Sequence, residues 1–370
     1  MTRPVLFPVL VVLALMVAAC GTAPTPSPTP SPGVEATPAA TPAVTAAPPP
    51  VGGRLALVKG RGQLICGVNG GLPGFSFLDE ATGTWSGFDA DYCRAVAAAV
   101  LGDPTAVEFR ALSATERGPA LQTGEIDVLI RNTTWTVSRD TSWGLFAPTT
   151  FYDGQGMMVN RTRTDATSLE DLAGATICVQ SGTTTELNLT DEMRVLGVEF
   201  TPLVFGEIDP TYDSYEQGRC DAVTSDRSQL VGRRTAFTNP AEHLLLEVVM
   251  SKEPLGPVAP LRDDQWFNVV KWVVFATIEA EEQGLTQTNV AQQRDTSQKP
   301  VVRRLLGAEV PELGTGLGLD SDWVVDVIQA VGNYAEIYDR NLGPATPFDL
   351  ARGPNRLWTD GGLLYAPPYR

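Results

Sequence analysis

Short apolar runs alternate with amphipathic stretches over most of residues 54–370. Runs of strand length separated by segments with helical periodicity predict α/β layers with mostly parallel sheets. The first series has the order QLICGV, DADYCRAVAAAVLG, VEFRAL, ATERGPALQTG and EIDVLI. The second series has the order ATICVQ, TTTELNLTDEMRVLG, VEFTPLVF, TYDSYEQGR, CDAVTSD and RSQLVGRRTAF. Two α/β units of similar size are therefore expected.

Two extended segments connect these units. They are FYDGQGMMVNRT (151–162) and LLLEVVMSKEPLGPVAPL (244–261), and both contain glycines that tolerate changes of backbone angle. The second segment returns the chain to the first unit, so two crossings predict a hinge; a plain connection between rigidly packed domains is the alternative. The expected lobes are 54–152 plus 255–370 (lobe 1) and 153–254 (lobe 2).

The N-terminus has the pattern of a secretion signal. Arg3 precedes a mostly apolar run from Pro4 to Ala19, which ends in Val-Ala-Ala before Cys20. This resembles a bacterial lipobox, so we expect residues 1–19 to be removed and Cys20 to carry lipid. An ordinary secretory signal and a membrane-spanning anchor are the alternatives. A spanning helix needs about 20 apolar residues, whereas this run is shorter and contains two prolines.

Residues 20–53 are predicted to be a tether. The stretch 21–50 holds ten of the 29 prolines and one charged residue, Glu35. Such a sequence cannot bury a core and favours extended backbone at about 3.1 Å per residue, which gives a reach of at most about 90 Å.

Charge and composition exclude several classes of function. The net charge is −16, and no cluster of Lys and Arg is interleaved with aromatic residues, so nucleic acid is not an expected partner. The single histidine, His243, argues against a histidine-assisted nucleophile and against zinc. GVNGGLPG lacks the spacing of a dinucleotide loop. We therefore expect no cofactor and no metal.

Four cysteines remain beyond Cys20. An even number in an oxidising compartment permits two bridges in three connectivities, and four buried free thiols are the alternative. Cys66 ends a predicted strand and Cys93 lies on the next helix, whereas Cys178 and Cys220 lie on two later strands. We expect Cys66–Cys93 and Cys178–Cys220.

Several ordered segments carry a resemblance to a known family. They are GFDADYCRAVAAAV, LQTGEIDVLIRNTTWTVSRD, YDGQGMMV, CVQSGTTTELNL, GRCDAVTSDRS and KEPLGPV. In this order they resemble bacterial extracellular solute-binding proteins of family 3, the polar amino-acid receptors of ABC importers. DDQWFNVVKW, VGNYAEIYDRNLG and GGLLYAPPYR resemble the general L-amino-acid-binding subgroup. The resemblance implies a type II periplasmic-binding-protein fold, in which two lobes close on an L-amino acid.

An α-amino acid is a zwitterion, and burial of both its charges requires a cation, an anion and oriented donors. The resemblance implies that Arg139 holds the carboxylate together with Thr183 and Thr184 at a helix start, and that Asp226 holds the ammonium. Each has a plainer alternative: a surface arginine, a capping box and a helix N-cap, respectively.

The remaining candidates follow from the same resemblance. Asn132 and Thr134 match polar positions that bind the ligand's charges from lobe 1. Arg131 is a second cation that favours acidic or amide side chains, or else forms an interlobe salt bridge. Leu72 and Phe75 occupy the first loop, where basic-amino-acid binders carry tyrosine. Trp135 is expected either at the pocket or in the core.

The sequence thus predicts a lipid-anchored monomer that binds amino acids and delivers them to membrane permease subunits without doing chemistry. A receptor for a signalling protein and a dehydratase on the same fold are the alternatives.

Overall fold

The computed structural model describes residues 53–370. The predicted leader and all but the last residue of the predicted tether, including Cys20, lie outside the described residues. The strands are β1 (Leu64–Val68), β2 (Gly71–Leu72), β3 (Ser76–Asp79), β4 (Thr84–Ser86), β5 (Val107–Ala111), β6 (Val128–Leu129), β7 (Gly144–Phe146), β8 (Phe151–Asn160), β9 (Thr176–Gln180), β10 (Thr201–Phe205), β11 (Ala222–Asp226), β12 (His243–Leu245), β13 (Lys252–Leu255) and β14 (Val258–Pro260).

The helices are α1 (Arg54–Arg61), α2 (Phe88–Leu101), α3 (Arg117–Thr123), α4 (Val137–Ser142), α5 (Thr184–Leu196), α6 (Ile208–Glu216), α7 (Arg227–Arg234), α8 (Asp264–Glu282), α9 (Val290–Thr296), α10 (Pro300–Leu305), α11 (Glu312–Thr315), α12 (Trp323–Val331) and α13 (Tyr334–Asn341). Short 3₁₀ turns lie at Glu170–Leu172, Pro240–Glu242, Gly353–Asn355 and Trp358–Asp360.

Lobe 1 is built on a five-stranded sheet of order β5-β1-β6-β14-β7. β1 pairs in parallel with β5 and β6, because α2 and α3 carry the chain back over the sheet between strands. β14 pairs antiparallel with β6 and β7, so the chain re-enters this lobe after residue 255. Helix α2 is buried along most of its length, and its run of alanines allows α8 and α12 to pack closely on it.

Lobe 2 is built on the sheet β10-β9-β11-β8-β12. Strands β10, β9 and β11 are parallel to one another. Strand β8 is antiparallel to both of its neighbours, β11 and β12. The two sheets have the mixed α/β character expected of a two-lobed binding protein. The exact lobe limits given above stay a prediction.

The two crossing segments pair with each other. β13 runs antiparallel to the start of β8, with Leu255 opposite Phe151 and Lys252 opposite Gly154. Beyond Gly154, β8 pairs with β11 and enters the sheet of lobe 2. The connection is therefore a hydrogen-bonded ribbon of two strands, more ordered than two free segments.

Two disulfides join the expected partners. Cys66 is bonded to Cys93 and Cys178 to Cys220, with Cα–Cα distances of 6.1 and 5.7 Å. The first ties β1 to α2 within lobe 1, and the second joins β9 to the turn before β11 within lobe 2. Neither crosses the cleft, so both leave relative motion of the lobes unrestricted.

Removal of either disulfide is expected to lower stability. The bridges span 27 and 42 residues, for which loop entropy gives about 3.5 and 4 kcal/mol. We expect Cys66→Ser/Cys93→Ser and Cys178→Ser/Cys220→Ser to lose about these amounts of unfolding free energy in urea titrations. Reduced wild-type protein is the control. A loss below about 1 kcal/mol in either double variant would contradict the estimate.

The lone histidine has a structural setting. His243 is buried in lobe 2, where its Nδ1 lies 2.9 Å from the Tyr215 hydroxyl and its ring packs on Phe237. Across residues 53–370 no group of three or more His, Cys, Asp or Glu side chains is placed to hold a metal ion. The helices of this same range include none with the length and apolar character needed to cross a bilayer.

Candidate functional site

A narrow polar cavity lies between the two lobes. Its walls come from strand ends, from the loops after them and from the first turns of the helices that follow, where open α/β sheets commonly bind ligands. Lobe 1 contributes Arg117, Arg131, Asn132 and Thr134, and lobe 2 contributes Gln180, Thr183, Thr184, Thr185, Ser225, Asp226 and Gln229.

Lobe 1 reaches the cavity through a constrained turn after β6. Asn132 has a positive φ of 25°, which is uncommon for a residue with a side chain and is typical of functional sites. Its backbone N–H donates to the buried carboxylate of Asp89 (2.8 Å), which fixes the turn. Burial raises the pKa of Asp89 to about 6, against the lowering effects of this hydrogen bond and of Arg131. The N-cap of α2 is Gly87, so the carboxylate of Asp89 is free to hold the turn.

The lobes are in contact across the cavity. The Asn132 side-chain amide donates to Gln229 Oε1 (3.0 Å) and lies 3.5 Å from Asp226 Oδ2. The hydroxyls of Thr134 and Thr184 are 3.3 Å apart. Four of the predicted site residues are thus brought together as two pairs, each with one member from each lobe.

Asp226 is a buried carboxylate at the end of β11. It occupies the N-cap position of α7, but its side chain makes no capping hydrogen bond, so the alternative role as a simple helix cap does not describe it. Burial raises its pKa well above the ordinary value, and the neighbouring carboxylates of Asp153 and Glu253 raise it further. Burial also raises the pKa of Asp153 to about 6. The lobe 2 side of the cavity is therefore acidic.

Three buried arginines lie on the lobe 1 side. Arg117, Arg131 and Arg139 are 3%, 3% and 7% exposed, and within residues 53–370 none of them has a carboxylate within 4.0 Å. Arg117 Nε has no hydrogen-bond partner in this part of the chain. Burial lowers the pKa of all three, that of Arg131 to about 10. A buried cation without a paired anion is unfavourable, which makes this wall suited to an anionic group.

Arg139 lies behind the cavity wall. Its Nη1 donates to the carbonyl oxygen of Thr134 (3.0 Å), and its guanidinium stacks on the Trp143 ring at 4.9 Å. Arg139 is not among the residues that line the cavity, but its hydrogen-bond partner is. Arg131 forms no interlobe salt bridge among the described residues; its Nε donates to the Leu112 carbonyl (2.8 Å).

Helix α5 points its N-terminus at the cavity. Thr183 is the N-cap and accepts a hydrogen bond from the N–H of Glu186, while the Glu186 carboxylate accepts from Gly182. The reciprocal arrangement is that of a capping box displaced by one residue. The free N–H groups and positive dipole end of a helix start attract anions.

Glu253 is a functional candidate that sequence reasoning missed. It lies on β13, is 1% exposed, and accepts hydrogen bonds from the hydroxyls of Thr134 and Thr184. Ser251 (2.6 Å) and Asn188 (2.9 Å) also donate to it. The crossing ribbon is thus bonded to both lobes beside the cavity. Arg117 and Gln229 were also missed, because each lies inside a helix pattern that gives no sign of which face meets the cleft.

Besides Arg139, three predicted pocket residues do not line this cavity. Leu72 and Phe75 are fully buried, and Phe75 packs edge-on against Phe88 and Phe151 in the core of lobe 1. Trp135 is 42% exposed and stacks on Phe146. The apolar character of the first loop therefore serves folding, and Trp135 lies outside the cavity wall.

Comparison with known proteins identifies the family. The model of "Bacterial extracellular solute-binding proteins, family 3" matches residues 64–344. The chain belongs to this family. Membership places the protein outside the cytoplasm.

Several relatives match over most of their length. The chain is 51% identical to the general L-amino acid-binding periplasmic protein of Rhizobium johnstonii, over 85% of this chain and 92% of that protein. It is 46% identical to the glutamate/glutamine/aspartate/asparagine-binding protein of Rhodobacter capsulatus, over 85% of this chain and 92% of that protein. A periplasmic binding protein from Brucella ovis, solved with glutathione bound, has 52% identity and a TM-score of 0.83, covering 85% of this chain and 99% of that one. All three are named as binding proteins, and the Brucella ovis protein is also named as an ABC transporter protein.

Proposed function

We propose that this protein binds free L-amino acids between its lobes and delivers them to the permease of an ABC importer. The observation that carries the proposal is the cavity itself, which brings a buried carboxylate from one lobe and buried guanidinium groups from the other within reach of one small molecule. Such a cavity matches a zwitterion, and the relatives described above are named as amino-acid-binding proteins.

Each charge of the ligand has a proposed partner. Asp226 pairs with the α-ammonium, with Asn132 beside it. Arg139, Thr134, Thr183 and Thr184 bind the α-carboxylate, aided by the N-terminus of α5. The ligand favours the lobes in contact because its two charges bind opposite sides of the cleft.

The side chain of the ligand meets additional cations. Arg117 and Arg131 line the cavity, and neither is needed for the α-carboxylate if Arg139 holds it. Acidic and amide side chains carry oxygens that accept hydrogen bonds from guanidinium groups. We therefore propose a preference for glutamate, glutamine, aspartate and asparagine within a broader range.

Attachment to the membrane completes the proposal. Cys20 is proposed to carry lipid, and residues 20–53 to hold a monomeric body away from the bilayer. A Cys20→Ser variant expressed in a bacterial host should move from the membrane fraction to the soluble fraction. A variant that stays in the membrane fraction would contradict lipidation as the anchor.

The direct test of function is calorimetric titration of purified residues 53–370 with each of the twenty amino acids, followed by uptake assays in a deletion strain. Binding of several amino acids, together with loss of their uptake on deletion, supports the proposal. Binding of none of the twenty rejects it. Binding without loss of uptake would favour the signalling receptor instead.

Arg117→Met is expected to alter selectivity. Loss of a charged hydrogen bond costs about 1.5–3 kcal/mol, so the affinity for glutamate and aspartate should fall by about tenfold or more. The affinity for alanine should change by less than about threefold, because alanine has no side-chain oxygen. Arg194→Met, at an exposed position on α5, is the matched control. An equal loss for alanine and glutamate would assign Arg117 to the α-carboxylate.

A further inference from the structure

A second chamber adjoins the ligand cavity. It is open to solvent and is lined from both lobes by Asn69, Ala111, Leu112, Ser113, Glu116, Arg131, Gln180, Glu207 and Ile208. Two of these residues, Arg131 and Gln180, also line the ligand cavity. They form the boundary between the two spaces.

Arg131 and Gln180 are each fixed by one side-chain hydrogen bond and have further polar atoms that can bind a ligand. Arg131 Nε donates to the Leu112 carbonyl (2.8 Å), and this is the only side-chain hydrogen bond of Arg131 within residues 53–370. Gln180 Nε2 donates to the Gly206 carbonyl (3.1 Å), which leaves Gln180 Oε1 to accept. The boundary therefore offers guanidinium donors on one side and an amide acceptor on the other. A peptide group, with one C=O and one N–H, requires this combination.

Six of the nine residues that line the chamber are polar or charged. Asn69 donates to Asn132 Oδ1 (3.2 Å), so the chamber is linked to the turn that carries the ligand site. The Glu116 carboxylate is engaged by the N–H of Ser113 (2.9 Å) at the start of α3. Glu207 is exposed at the end of the loop before α6. A polar extension of the ligand could be hydrated or hydrogen-bonded here, whereas an apolar one would gain little.

We propose that the protein also binds amino acids extended through their side chain by an amide bond, with γ-glutamyl peptides as the representative class. This rests on the proposed function. Asp226 and the buried arginines of lobe 1 require a ligand with a free ammonium and a free carboxylate on the same carbon atom. An ordinary dipeptide cannot supply both, because its α-peptide bond consumes one of them. A γ-linked peptide keeps both and directs its amide toward Arg131 and Gln180.

Two isomers of identical composition test the proposal. Calorimetric titration of residues 53–370 should show that γ-Glu-Ala binds with a Kd within about tenfold of that of glutamine. α-Glu-Ala should bind at least about a hundredfold more weakly. Binding of glutamine without binding of γ-Glu-Ala would overturn the inference and leave the proposed function intact. Binding of neither ligand, nor of any other amino acid, would reject the proposed function.

A variant that fills the chamber provides a second test of the proposal. Ala111 ends the edge strand β5, is exposed, and lines the chamber but not the ligand cavity. Ala111→Trp should lower the affinity for γ-Glu-Ala by about tenfold or more and should change the affinity for glutamine by less than about twofold. Thr105→Trp, exposed before the other end of β5, is the control. Unchanged binding of γ-Glu-Ala to a folded Ala111→Trp variant that still binds glutamine would place the extension outside this chamber.

Discussion

Asp226→Asn is expected to weaken the binding of every amino acid by more than about a hundredfold. The substitution preserves size but removes the charge that we propose to face the α-ammonium. A buried ion pair that loses one partner costs about 3–5 kcal/mol, because the other charge stays buried without compensation. Calorimetry with glutamine and with alanine checks the result, since the two ligands share only the α-carbon groups. Asp191→Asn, an exposed acid on α5, is the matched control.

The pH dependence of binding provides an independent check of the same residue. Burial and the nearby acids Asp153 and Glu253 raise the pKa of Asp226, so protons compete with the ligand ammonium for the carboxylate. Affinity should therefore fall as the pH drops below this raised pKa, and binding should release a proton when Asp226 is protonated in the free protein. Titrations in two buffers with different ionisation enthalpies measure that release. Asp226→Asn should release fewer protons than wild type; equal release and equal affinity would reject the assignment.

The sequence predicts the scaffold well because periodicity and strand ends are local signals. The spacing of apolar residues around Cys66 and Cys178 identifies β1 and β9, and their disulfide partners follow from the adjacent elements. Asn132, Thr134, Thr184 and Asp226 follow strands or open helices, which agrees with a position at one cleft, but the resemblance to the family was needed to single them out.

The errors have a physical reason, which is that contacts distant in sequence leave no local pattern. Glu253 accepts from Thr134 and Thr184, which are 119 and 69 positions away in the chain. The resemblance places Phe75 in the loop where basic-amino-acid binders carry tyrosine, but Phe75 packs on Phe151 from the crossing strand in the core. The position of Arg117 depends on the orientation of a short helix whose sequence has no clear polar face.

Arg139→Met is expected to reduce the affinity for all amino acids by about tenfold to a hundredfold. The guanidinium is buried, has no carboxylate within salt-bridge distance among the described residues, and donates to the carbonyl of Thr134 on the cavity wall. We assign it to the α-carboxylate, and a charged hydrogen bond contributes about 1.5–3 kcal/mol. Methionine fills much of the volume of the arginine stem, so the loss of charge dominates.

Comparison of the ligand profiles of Arg139→Met and Arg117→Met separates the roles of the two arginines. If Arg139 holds the α-carboxylate, alanine and glutamate lose affinity by similar factors in Arg139→Met, whereas Arg117→Met affects glutamate alone. Urea unfolding of each variant without ligand shows whether a loss of affinity reflects a loss of folded protein. If Arg139→Met binds alanine with near-wild-type affinity and Arg117→Met does not bind alanine, then Arg117 and not Arg139 binds the α-carboxylate. The helix start at Thr184 would then face the side chain of the ligand, and the preference for acidic amino acids would depend on α5.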